Sequence, residues 1–349
     1  MSYGVEITHR LDRAARSLVE EHFAVQAGEA VLLTTDPLTD TSLVSAIVTA
    51  VTRAGGKPVV ATLPQLPFQG ALADPYIPEP LTAAVTATDV WFDLCFPYLA
   101  GSMTHDRAMA ARRARYALIA TSSASSFARL YGGVAFAALM DLQLALIEYL
   151  ETKAGARVRL TCPLGSDVQF TLDKIKLPRQ RIARSPGMHT VPGAQSLYPA
   201  AASVRGRVVL QSLFDEHYRL LRKPVTIEID ERIVSIGGAG AEDRPGLERA
   251  LRRAAGGRDL GQVIHFTLGF HPAARITGEH FIEDIRALGT NAVGMGLPWW
   301  EPGGGENHPD GVVMDQSVWI ADECIVDAGQ IVAPETLRAQ FQRLSPLFD

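Results

Sequence analysis

Two short stretches carry the residue types from which a metal centre can be built. The first, Pro302-Gly303-Gly304-Gly305-Glu306-Asn307-His308-Pro309-Asp310, is a glycine-rich run that opens into His-x-Asp. In extended backbone residues i and i+2 point the same way, so His308 and Asp310 can converge on one ion. Pro309 between them fixes φ and narrows the conformations that must be ordered. The second stretch is Gly261-Gln262-Val263-Ile264-His265-Phe266-Thr267-Leu268-Gly269. The strand period puts Ile264, Phe266 and Leu268 on one face and Val263, His265 and Thr267 on the other. A histidine on so apolar a strand needs a polar partner, and the strand alone leaves a backbone carbonyl and a metal ion both open. His-x-Asp is by itself a weak signal. Combined, His265, His308 and Asp310 form a two-His-one-carboxylate set, which leaves three positions of an octahedral ion for substrate and dioxygen.

These residues need a scaffold, and the hydrophobic pattern describes one in two halves. In residues 1–154, apolar runs at 31–35, 58–63, 90–94 and 116–120 alternate with helical segments such as 43–54 and 136–153. Continuous apolar strands separated by helices predict a parallel sheet covered on both faces. The fold class expected is α/β: a Rossmann-like domain, 1–154, followed by a metal-binding α+β domain with a mixed sheet, 155–349. No G-x-G-x-x-G or Walker loop follows any of the strands, so a nucleotide is not implied. Ala154-Gly155 closes the long helix and marks the boundary. Beyond it, strands alternate and crowd together at 157–162, 168–172, 207–211, 225–229 and 233–236, with helices at 245–255, 283–288 and 334–343.

Composition excludes several partners. The 349 residues are 47% hydrophobic and 20% charged, with a formal net charge of −5, and no basic stripe offers itself to nucleic acid or an anionic membrane. The densest basic stretch, Arg112-Arg113-Ala114-Arg115, reads as a solvated helix end. Three scattered cysteines, Cys95, Cys162 and Cys324, form no short-spaced pair, as expected of free thiols in a reducing compartment. The N-terminus has no apolar signal-peptide core, and the most apolar segment, 134–150, is interrupted by Asp141 and Gln143 and too short to span a bilayer. A soluble, cytoplasmic enzyme is the expectation. His9, His22, His217 and His280 lie in polar or helical contexts and are expected at the surface.

The second half also resembles a known family. Leu164-Gly165-Ser166-Asp167-Val168-Gln169-Phe170, Pro192-Gly193-Ala194-Gln195, Gly269-Phe270-His271-Pro272-Ala273-Ala274-Arg275, Gly303-Gly304-Gly305 and His308-Pro309-Asp310 look like successive blocks of the aminopeptidase T/S metallopeptidases. The likeness runs through most of 156–332 and more loosely through the first half. Those peptidases bind two metal ions and form dimers, so the resemblance implies a homo-oligomer. Three positions depart from them. The family glutamate after the Pro-Gly turn is Gln195 here, the glutamate of the strand is His265, and the histidine after the Gly-Thr pair falls at Ala292. A bridged ion pair needs carboxylate charge that this set does not supply, so a single ion is the simpler inference.

The same pattern is similar to the 2,5-dihydroxypyridine 5,6-dioxygenases, most closely in 265–275 and from His308 through 327–335. That resemblance implies Fe(2+) held by His265, His308 and Asp310, with Zn(2+) or Mn(2+) as alternatives. It implies a catalytic histidine at His189, just before the Pro192-Gly193 turn. A further pocket histidine falls near Leu99 or His105, and His105 is the candidate. Tyr198, Trp299, Trp300 and Gln195 are candidate substrate contacts. Glu301 and Glu306 flank the glycine loop as partners of a ligand histidine or as surface charge, and His271 either faces solvent or holds its loop. The reaction implied is oxygenative cleavage of a hydroxylated N-heteroaromatic ring, with a small aromatic substrate and O2 as the partners. A metal-dependent aminopeptidase or amidohydrolase is the alternative.

Overall fold

A computed structural model of the chain describes every residue except Met1, Phe68, Pro178, Ala239, Ala241, Arg258, Trp299, 301–307 and Asp349. The described strands of the first stretch of chain are β1 (Ala30–Thr35), β2 (Lys57–Thr62), β3 (Val90–Asp93) and β4 (Arg115–Leu118). There follow β5 (Arg157–Thr161), β6 (Asp167–Thr171), β7 (Gly187–Thr190), β8 (Ala194–Leu197), β9 (Arg205–Phe214), β10 (Tyr218–Asp230) and β11 (Arg232–Gly237). The last are β12 (Gln262–Gly269), β13 (Asn291–Gly296), β14 (Asp310–Val313), β15 (Ser317–Ile320), β16 (Glu323–Asp327) and β17 (Gln330–Ile331). They make a mixed α/β fold of one parallel and one large antiparallel sheet. The chain divides into two compact units: Met1–Met140 with Arg179–Pro192 and Ser345–Asp349, and Asp141–Pro178 with Gly193–Leu344.

The first unit holds the parallel sheet, in the order β2-β1-β3-β4-β7. The apolar runs read from the sequence become its first four strands, and β1 and β3 are almost wholly buried. Asp40 starts the helix Thr41–Arg53 by accepting a hydrogen bond from the Ser42 amide, as an N-cap aspartate does. The fifth strand comes from the part of the chain that the sequence pattern gave to the second domain. β7, Gly-Met-His-Thr, is half-buried throughout and pairs parallel with β4, His189 opposite Ala117. It has no apolar run, so hydrophobic periodicity could not find it. Arg115 corrects the expectation of a solvated helix end. The helix Met103–Ala110 stops short of it, and its buried guanidinium begins β4 bound to Glu29 and to the carbonyls of Phe23 and Ala183.

The second unit holds twelve strands in one antiparallel sheet, β17-β16-β15-β5-β6-β9-β14-β13-β12-β8, with β10 and β11 branching from β9. At its centre β12, β13 and β14 are buried on both faces, apart from the half-buried Gln262. The face of β12 expected to be apolar is core: Phe266 stacks on Phe170 of β6, the ring planes 3° apart and the centroids 4.6 Å apart. The short helix expected at 283–288 lies at Phe281–Asp284. All three cysteines are free; Cys95 is buried and Cys324 half-buried. Among the described residues no single helix is long and apolar enough to cross a membrane.

Candidate metal centre

The site grows out of the register of three adjacent strands. His265 on β12 stands opposite Gly294 on β13, and Gly294 stands opposite Asp310 on β14. Directly paired residues project on the same face, so an imidazole and a carboxylate look at each other across a glycine. Strands two apart are separated by about 10 Å, and a side chain between them would stop the ligands from meeting. A Cβ built on Gly294 would overlap the His265 ring at Nε2, Cδ2 and Cε1. A bulge between Val263 and His265 shifts the β12–β13 register where the histidine is presented, a usual device for re-aiming a side chain at a site. His308 enters from the residue pair before β14, held where the Met295 amide donates to the Pro309 carbonyl at 2.9 Å.

His265 Nε2 and His308 Nε2 lie 3.2 Å apart. Each is 3.5 Å from a carboxylate oxygen of Asp310, and all three side chains are buried. Among the described residues these are the three side chains whose donor atoms gather within 4.8 Å. Burial, and then the neighbouring His308, push the His265 pKa well below the ordinary histidine value, so its imidazole is neutral and offers a lone pair. Two imidazole nitrogens and a carboxylate that face one place can share a cation there. With ligand bonds of about 2.1 Å, the 3.2 Å between the two Nε2 atoms corresponds to an angle of roughly 100° at an ion, and His265 and His308 face Oδ1 and Oδ2 of the same carboxylate. The donors fit one divalent cation.

Behind the triad, His265 Nδ1 lies 3.0 Å from Thr267 Oγ1, which is 2.7 Å from Ser196 Oγ on β8. Thr267 was expected on this face; Ser196 and Gly294 were not expected at all. The signal for Gly294 was present as small residues at alternate positions, Ala292, Gly294 and Gly296, which mark a strand face that something approaches closely. Ala292 stands opposite Thr267 and brings no donor to that face.

Other expected residues lie elsewhere. Gln195 is turned away: its neighbour Ser196 shares the His265 face, so alternation puts Gln195 on the opposite one. There its Oε1 accepts from Gln143 Nε2 at 2.8 Å, and Gln143 Oε1 accepts from the Gly193 amide at 3.1 Å. The structure therefore gives Gln195 the task of fixing the Pro192-Gly193 turn and does not bring it to the triad. His271 holds the same turn. It is fully buried, with Nδ1 accepting from the Ala273 amide, and its ring fills the space a Cβ at Gly193 would need. Tyr198 is buried edge-on against Trp300, centroids 5.3 Å apart, and Lys176 Nζ lies 5.4 Å from the same indole. Trp299, Glu301, Glu306 and the three glycines of the loop lie outside the described residues.

His189 and His105 belong to the first unit. His189 Nε2 lies 3.0 Å from the Ser185 carbonyl, and Phe23 packs edge-on to its ring. Burial lowers its pKa most strongly, opposed by the bond to Ser185. His105 is buried on the helix Met103–Ala110 with its ring against Tyr116 and Trp91. Its Nδ1 accepts from the Gly101 amide, and burial lowers its pKa against the pull of Asp106. His22 is a correction: expected at the surface, it is 3% exposed. Its Nδ1 meets Tyr131 Oη at 3.2 Å, its ring packs on Phe23 and Phe136, and burial takes its pKa down to about 3. His9 and His217 are exposed and His280 half-buried.

Two solved structures share this fold. The 2,5-dihydroxypyridine dioxygenase from Pseudomonas putida KT2440 superposes with a TM-score of 0.72 at 18% identity, over 96% of this chain and 99% of its own. AmpT from Thermus thermophilus gives 0.64 at 13% identity, over 93% and 99%. No curated protein sequence matches the chain. The family model described as NicX, 2,5-dihydroxypyridine 5,6-dioxygenase, matches residues 16–333. The chain, which presents a His-His-Asp set on three neighbouring strands, belongs to the 2,5-dihydroxypyridine 5,6-dioxygenase family.

Proposed function

We propose that this protein is a mononuclear non-haem Fe(II) dioxygenase that opens the ring of a hydroxylated N-heteroaromatic such as 2,5-dihydroxypyridine. The observation that carries the reading is the convergence of His265 Nε2, His308 Nε2 and an Asp310 oxygen, with no further imidazole, thiolate or carboxylate joining them among the described residues. A divalent iron held there would bind the substrate hydroxylate and dioxygen side by side and pass electron density from one to the other. The protein does the rest. Two neutral imidazoles and one carboxylate leave a divalent ion with residual positive charge, which favours the deprotonated hydroxyl of the ring. A buried, shielded site excludes water from the reacting centre.

Proton handling is assigned to His189 and His105. Both are pushed toward the neutral form by burial, so each can accept a proton near neutral pH. Tyr198 and Trp300, perpendicular to each other, are proposed with Trp299 as aromatic walls for a planar ring. A zinc or manganese hydrolase on the same triad would need a carboxylate base beside the metal-bound water. Gln195 on the opposite face and Ala292 beside the site do not supply one.

The test is oxygen uptake by anaerobically purified protein loaded with Fe(II) and mixed with 2,5-dihydroxypyridine. Stoichiometric uptake with loss of the ring chromophore is expected. Peptide or amide cleavage supported by Zn(II), without oxygen uptake on any dihydroxylated ring, would overturn the reading.

A further inference from the structure

We infer that Thr267, anchored by Ser196, is the positioning residue that fixes His265 with its Nε2 lone pair toward the metal. The inference rests on reading His265 as a ligand. A neutral imidazole carries one proton on either Nδ1 or Nε2, and only the Nδ1–H form can bind a cation through Nε2. Thr267 sits two residues along the same strand, so its hydroxyl is carried on the same face at 3.0 Å from Nδ1. The next strand supplies the other half. Ser196 is directly paired with Thr267, and its Oγ lies 2.7 Å from Thr267 Oγ1. With the threonine hydroxyl donating to Ser196 Oγ, the chain runs from His265 Nδ1–H to Thr267 Oγ1 and on to Ser196, and the Ala292 carbonyl also hydrogen-bonds the His265 ring.

Each link has a reason to be where it is. Thr267 has one proton, so donating it to Ser196 leaves only its lone pairs facing the imidazole, and the Nδ1–H tautomer is selected. A ligand histidine commonly gives its second nitrogen to a carboxylate or carbonyl. A hydroxyl does the same without adding charge, and the ligand set keeps the single negative charge of Asp310. β-Branching restricts χ1 of Thr267, so the acceptor is held in place before any metal arrives. Gly294 completes the arrangement by leaving the ring no side chain to displace it.

The experiment is metal affinity, which does not depend on what reaction the protein performs. Zn(II) and Co(II) dissociation constants are measured by chelator competition for the wild type, T267V, T267S, S196A and H265A. Thr267→Val preserves shape and removes the acceptor; it should weaken binding about 10–100-fold, the usual range for a group that orients a ligand histidine. Thr267→Ser should return to within a few-fold of wild type, which a packing role for the threonine methyl would not give. Ser196→Ala should weaken binding by less than Thr267→Val. With the metal-free protein, 15N imidazole spectra should show His265 as a single Nδ1–H tautomer in wild type and T267S, and a mixture or a weakened Nδ1–H signal in T267V. Binding by T267V within twofold of wild type, with an unchanged tautomer, overturns the inference. Should T267V not fold, S196A decides: wild-type affinity with an unchanged tautomer overturns it. If H265A binds metal as tightly as wild type, the ligand assignment itself fails, and that result is distinct from either of the others.

Discussion

Both units bury histidines, and in the second one pair is arranged unlike the rest, including its own His271, which is held by the Ala273 amide. In the parallel sheet's unit, each buried or half-buried imidazole has a private partner: His22 the Tyr131 hydroxyl, His189 the Ser185 carbonyl, His105 the Gly101 amide. In the antiparallel sheet, His265 and His308 spend their Nε2 atoms on the same point in space, within 3.2 Å of each other and beside a carboxylate. Burial lowers the pKa in both regions, so a shifted pKa does not separate a structural histidine from a ligand. Convergence does. Two imidazoles and a carboxylate that point at one place can share a cation, whereas an imidazole held by its own hydroxyl, carbonyl or amide is not so arranged.

The sharpest way to break this contrast is to remove the charge that makes convergence useful. Asp310→Ala leaves two neutral imidazoles, and metal content after reconstitution should fall to background together with turnover, as read by elemental analysis and oxygen uptake. Gly294→Ala is next. No left-handed backbone protects this glycine, so alanine is acceptable to the strand but not to the His265 ring. Metal affinity should fall by roughly 100-fold, the top of the range for changes that misplace a ligand, while circular dichroism stays unchanged.

Gln195→Glu tests whether one carboxylate would rebuild a two-ion site. Because residue 195 faces Gln143 on the other side of the sheet, the stoichiometry should stay at one ion per chain. The buried, poorly compensated charge should cost about 3–5 kcal/mol in chemical denaturation. The smallest effect belongs to the other sheet's unit. The pKa of His22 falls from 6.5 to about 3 on folding, so below pH 6.5 the unfolded chain takes up a proton that the folded chain refuses. Stability is lost as the pH falls, by about 2 kcal/mol between pH 7 and pH 5 from this group. His22→Gln should flatten that part of the pH profile without touching metal content.

What the sequence disclosed follows the same physical divide. The triad could be read because strand alternation and His-x-Asp spacing are local rules, and His265, His308 and Asp310 each obey one. β1, β3 and β4 could be read because a strand buried on both faces is a continuous apolar run, and β2 is as apolar in sequence although it lies largely exposed at the sheet edge. β7 could not, since Gly-Met-His-Thr is short and half-buried, and its place is decided by pairing with β4. The face that Gln195 occupies could not be read because a residue's type does not say which side of β8 it takes; the partner strand decides that. Ser196 and Gly294 acquire their roles only through cross-strand register, which no local pattern carries. His22 and Arg115 looked solvated because polar side chains usually are, and each is buried around a specific partner instead.

The most direct measurement is an anaerobic Fe(II) titration of the metal-free wild type beside its His265→Ala, His308→Ala and Asp310→Ala variants, followed by elemental analysis after gel filtration. One tightly held iron per chain in the wild type, lost in all three variants, is the predicted result. Two ions per chain, or one ion retained when any of the three is removed, would contradict a single-ion centre built on these side chains.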